Sequence, residues 1–147
     1  MKTHRFHAWR RMRDLGPSWK LAWSCDLPDD MYGYTNFIDR TITLREGLSF
    51  EERRCTITHE VEHVLRGPTS RCFVLHEEVR VDRRASRLLL SSVRDIADTL
   101  SYHHGDYERA AEDLWVDPWM LEVRLGSLWR NEQRYMDRRM AEVTVGE

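Results

Sequence analysis

Two hydrophobic periods alternate along this chain, one of about 3.6 residues and one of two. Within residues 50–66 the apolar positions Ile57, Val61, Val64 and Leu65 recur at three- and four-residue steps, which predicts a helix with a single buried stripe. Ser49 followed by Glu52 forms a capping box at its start, and Gly67-Pro68 is its stop signal. A second helical stretch covers residues 78–90, with Glu78, Val81, Ala85 and Leu88/Leu89 sharing an inward face. Period-two alternation appears upstream, over residues 19–25, 32–37 and 40–44, and predicts three short strands. A basic helix over residues 4–15 precedes them and stops at Gly16-Pro17. Residues 67–74 read as a loop, and a short helix over 92–101 runs into Tyr102-His103-His104-Gly105. From Asp106 the pattern is helical again, breaks near Val116, and restarts at Asp117 as N-cap with Pro118 at the first helical position. Residues 106–130 therefore have the outline of a helix-turn-helix. The tail over 131–147 is polar and charged, and is expected to fray at its end.

These elements sum to an α+β fold, mostly helical, with a small sheet of about three strands beside the 50–66 helix and a helical C-terminal segment. At 147 residues the chain fits one domain, with residues 1–105 forming the N-terminal helix, sheet and central helices, and 106–147 the C-terminal part.

Chemistry concentrates in the first long helix. His59-Glu60-Val61-Glu62-His63 reads H-E-x-x-H. On a helix, side chains four apart stand one above the other, so both imidazoles can reach one ion. Glu60 then lies beside the open coordination position, where it can take a proton from water. By helical angle both histidines point away from the apolar stripe, whereas a pair satisfied within the core would lie inside it. A catalytic zinc site needs a third protein ligand. Cys55 shares the face, but from Cys55 to His63 the helix rises about 12 Å, too far for one ion. Glu78 is the expected third ligand, with Glu77 and His76 as the alternatives one and two residues away. Asp82, one turn after Glu78, is expected to orient a ligand imidazole from behind. An inward carboxylate pair needs a counter-charge, and Arg80, Arg83, Arg84 and Arg87 are the bland alternative to a metal ion. Tyr102, His103 and His104 are candidate donors to an oxyanion beside the ion, against the plainer reading of a loop at a helix end.

Composition narrows the setting. A net charge of −2 gives no general attraction to nucleic acid or membrane surfaces. Three cysteines without paired spacing fit a reducing compartment. The basic N-terminal segment lacks the apolar run of a signal peptide, and no stretch approaches the length of a membrane span. The reading is a cytoplasmic protein.

With both helices placed, the chain resembles the ImmA/IrrE-type metallopeptidases. The resemblance is an ordered series over about residues 30–128: the strand-like Arg40-Thr41-Ile42-Thr43-Leu44-Arg45, then Leu48-Ser49 and a helix with His59-Glu60-x-x-His63. Next come Glu78-x-x-x-Asp82-x-x-Ala85-Ser86-x-Leu88-Leu89-Leu90, and Ala110-Ala111 through Val116-Asp117 to Arg124-Leu125. Glu62 stands where the family usually has Gly, Val81 replaces Ala, Arg84 replaces Phe, and Ser91 stands where Pro is common. The resemblance implies a zincin-like, zinc-dependent endopeptidase of regulatory type, tied to phage or mobile elements, that relieves repression by acting on a helix-turn-helix repressor. Two other readings compete. One is a metal-bearing binding module that inactivates a repressor without cutting it. The other is a DNA-binding protein using residues 106–130, but Trp119, Met120, Leu121, Glu122 and Val123 are poor material for reading a groove.

Overall fold

The computed structural model describes residues 5–145. His4, the expected first residue of the N-terminal helix, and the expected fraying at residues 146–147 lie outside them. In chain order the elements are α1 (Ala8–Asp14), β1 (Lys20–Ser24), β2 (Gly33–Asn36), β3 (Thr41–Arg45), α2 (Phe50–Arg66), a 3-10 turn (Arg71–Phe73), α3 (Val74–Leu89), α4 (Val93–Tyr102), α5 (Tyr107–Asp113), α6 (Pro118–Leu125) and α7 (Arg130–Val145). The α+β expectation holds: seven helices and one small sheet among the described residues.

The strands lie in the order β1-β3-β2, with β1 parallel and β2 antiparallel to β3. Alternation in β3 sorts its faces, so that Ile42 and Leu44 are fully buried while Thr41, Thr43 and Arg45 keep partial exposure. Arg45 turns back to donate hydrogen bonds to the carbonyls of Leu27, Pro28 and Met31, pinning the loop that leads into β2.

Helix α2 stands between two cores. Ile57 and Val61 pack with Ile42, Leu44, Ala8 and Met12 against the sheet and α1. On its other side Cys55 joins a core built from α3 to α7, including Ala85, Ile96, Leu121 and Met136. The capping box forms as expected: Ser49 Oγ accepts from the Glu52 amide at 3.1 Å, and Glu52 accepts from the Ser49 amide at 2.8 Å. Leu65 departs from the expected stripe and is exposed. Two buried charges fix α2 to its neighbours. Arg54 donates to the carbonyls of Phe6 and Trp115 at 2.8 and 2.9 Å, and Glu62 pairs with Arg11 of α1 at 2.6 Å.

Two boundaries differ from the sequence reading. Helix α3 begins at Val74, led in by the 3-10 turn, rather than at Glu78. The tail is the 16-residue helix α7. It buries Met136 and is held by Glu132, which accepts from Arg124 at 2.8 and 3.1 Å, from Arg87 and from the Trp129 amide. Arg124 is almost fully buried, so Glu132→Ala leaves its charge uncompensated and is expected to cost about 3–5 kcal/mol in a denaturant melt. The Arg124 hydrogen bond holds the Glu132 carboxyl down at about 2 against burial, which acts to raise it. A carboxyl depressed in the folded state contributes stability above its unfolded pKa of about 4.5 and loses it as pH falls toward 2. The melting difference between wild type and Glu132→Gln should therefore narrow over that window.

Candidate metal centre

Helices α2 and α3 pack side by side and turn their polar groups toward one point. From α2 come His59 and His63, whose rings sit edge to face with centroids 4.7 Å apart. From α3 comes Glu78, with one carboxylate oxygen 3.1 Å from His59 Nε2 and the other 3.0 Å from His63 Nε2. The two Nε2 atoms are themselves 3.0 Å apart. Asp82, one turn along α3, accepts a hydrogen bond from His59 Nδ1 at 2.8 Å. An ionised carboxylate only accepts, so Nδ1 carries a proton, and whenever His59 is neutral its Nε2 lone pair faces Glu78 and His63.

Two imidazole nitrogens and a carboxylate so close together repel unless something positive lies between them. A proton on His59 is one way to meet that need. Burial works to lower the His59 pKa, but the hydrogen bonds to Asp82 and Glu78 and the charge of Glu60 raise it to about 10. The same contacts with His59 and His63 hold the Glu78 carboxyl well below the ordinary range. A divalent ion meets the same need with better geometry. Ligand distances of about 2.0–2.1 Å place the vertices of a tetrahedral zinc site about 3.3 Å apart, close to the spacing of these donors. His59, His63 and Glu78 thus form a group that can hold a metal ion.

The alternatives for the third ligand point elsewhere. Glu77 is engaged by Arg66, and His76 is exposed. Cys55 is buried, accepts from the Asp117 amide at 3.4 Å, and has its thiol pKa pushed up by burial. The four arginines offered as counter-charges are also accounted for: Arg87 pairs with Glu132, Arg84 leans on Glu62 at 3.9 Å, and Arg80 and Arg83 are exposed.

Glu60 lies beside the cluster and lines the same cavity. It faces strand β2, where the Thr35 hydroxyl donates to its Oε2 at 2.6 Å. That contact depends on Gly33: a Cβ there would stand 2.6 Å from Thr56 Cγ2 and 3.0 Å from Glu60 Cγ. The strand can approach the helix only because the residue has no side chain. Thr35 and Gly33 were not picked out from the sequence, although a glycine inside a strand pattern is a known signal of close backbone approach.

A cavity of about 720 Å³ opens over the cluster. Its walls come from the 30–37 segment, α2, α3 and the start of α6, and include Tyr32, Tyr34, Phe37 and Trp119. Tyr102, His103 and His104 are not among the lining residues. They sit at the far end of α4, where His103 Nε2 is held 2.6 Å from Asp113 Oδ2. Tyr32 and Tyr34 are the tyrosines the cavity does contain. No protein-family model matches the chain, and no curated protein or solved structure matches it either. No helix among the described residues is long and apolar enough to cross a membrane.

Proposed function

We propose that the protein is a zinc-dependent endopeptidase of regulatory type, with a zincin-like centre, that cuts a protein substrate. The observation that carries this reading is Glu60, held by Thr35 beside three convergent metal donors and facing the cavity. A bound divalent ion supplies Lewis acidity, lowering the pKa of water and polarising a carbonyl. His59, His63 and Glu78 hold that ion, and Asp82 keeps His59 in the tautomer that can bind it. Glu60 takes the proton of the attacking water at its carboxylate and delivers it to the departing amine. Strand β2 is an edge of the sheet and lines the cavity, so an extended substrate segment can pair with its free side. The ordered resemblance to the ImmA/IrrE-type metallopeptidases supports a helix-turn-helix repressor as the substrate class.

The readings without hydrolysis fit less well. Helix α6 turns Met120, Leu121 and Arg124 into the core, which argues against its serving as a recognition helix. A binding module that inactivates its partner intact has no need of a carboxylate held as Glu60 is. The test is direct. Zinc-loaded protein is incubated with candidate repressors and a peptide library, with and without chelator, and products are read by mass spectrometry. Cleavage that stops with chelator and returns with zinc is expected. A repressor captured intact in a stable complex would support the binding module instead.

A further inference from the structure

The charge on the cavity walls is one-sided. Six carboxylates line it, Asp30, Glu52, Glu60, Glu78, Asp82 and Asp117, and no Lys or Arg does. One dication offsets two of these charges and leaves four, Glu60 beside the ion and Asp30, Glu52 and Asp117 away from it. None of these last three is in an ion pair among the described residues, although the chain carries 23 basic side chains. Glu52 and Asp117 each spend an oxygen on a helix start, Glu52 at the Ser49 amide and Asp117 at the Met120 amide, 2.7 Å away. Burial pushes the Asp117 carboxyl above its ordinary value, and the charges of Glu52 and Asp82 push the same way. The region is therefore short of positive charge. Around it stand aromatic faces with room for a partner: Tyr32, Tyr34 and Trp119 are each partly open to solvent, Trp119 at 60 % exposure. A guanidinium or ammonium resting on such faces beside carboxylates gains both cation–π and Coulomb attraction.

Position along α2 gives the register. Glu52, Thr56, Glu60 and His63 follow one face of the helix, so Glu52 stands about 12 Å from Glu60 along the axis. An extended peptide advances about 3.3 Å per residue, so that distance corresponds to three or four residues, fewer when a long side chain reaches back. We propose that the cleft selects an extended protein segment bearing Arg or Lys within about three residues of the bond presented to Glu60, with Asp30, Glu52 and Asp117 and the faces of Tyr32, Tyr34 and Trp119 as its recognition groups. The fate of the segment rests on the peptidase reading; its recognition does not.

The test separates the two. Blocked, labelled peptides of alanine and leucine carry Arg, Gln or Glu three residues to either side of the centre. Their binding to zinc-loaded Glu60→Gln protein is followed by fluorescence anisotropy at low and high salt. The Arg peptide should bind about tenfold tighter than the Gln peptide, with the Glu peptide weakest. The advantage should shrink as salt screens it. Glu52→Gln combined with Asp117→Asn keeps residues able to cap both helices and should bring the Arg-to-Gln ratio toward one. Equal affinities, no measurable binding of the Arg peptide, or an Arg preference untouched by the double variant would overturn the proposal. If the Arg preference holds while wild-type protein cuts none of the peptides, the recognition stands and the peptidase reading fails. If all three peptides are cut alike, the reverse follows.

Discussion

Glu60→Gln is expected to bind zinc as the wild type does and to lose at least about a hundredfold, and up to about ten-thousandfold, in kcat/KM on any substrate the wild type cuts. The substitution keeps the shape of the side chain, and its amide oxygen can still accept the Thr35 hydroxyl that now donates to Glu60 at 2.6 Å. What it removes is the capacity to take a proton from water. Metal content by elemental analysis and turnover of the cognate substrate are measured on the same preparation. Unchanged metal with lost turnover isolates proton transfer as the missing step. Wild-type turnover in the variant would remove Glu60 from the mechanism, whatever the metal does.

The second large effect concerns the ion itself. Glu78→Ala removes one of three donors and should weaken zinc binding by more than Asp82→Asn does. Asp82 touches no ion, but it fixes the orientation and tautomer of His59, and loss of such a partner typically costs about 10–100-fold in affinity. Competition against a chromophoric chelator ranks the three proteins, with wild type tightest, Asp82→Asn next and Glu78→Ala weakest. Equal affinity for wild type and Glu78→Ala would show that the His59–His63 pair takes its third ligand from elsewhere. Binding at neutral pH must also displace the proton that His59 otherwise keeps up to about pH 10, so affinity should rise as pH increases toward that value.

Helix α2 was legible in the sequence almost to the residue, because its start, stop and stripe are all local signals: a capping box, Gly67-Pro68, and Ile57 with Val61. The three strands were legible for the same reason, and the group formed by His59, His63 and Glu78 follows from helical spacing plus one packing contact. Helix α7 was not. Its sequence is polar almost throughout, with Met136 its one buried residue, and it is secured by distant partners, Arg124 to Glu132 and Asp98 to Arg139. Helix α3 was read short because Val74, Leu75 and Val79 face solvent and leave no inward stripe to follow at that end. The donors proposed at residues 102–104 were chosen by chain order, and no residue of α4 lines the cavity. Thr35 was hidden differently: its role exists only because Gly33 lets a strand touch a helix 25 residues on.

The three residues that could hold an ion, and Asp82, all lie between residues 59 and 82, on two adjacent helices joined by a short link. Closing so short a loop costs little entropy, and contacts this local form early. An ion held there would staple α2 to α3 across that short loop, and both helices pack into the core that α4 to α7 complete. Chelation should therefore lower the melting temperature of the whole fold as well as any turnover.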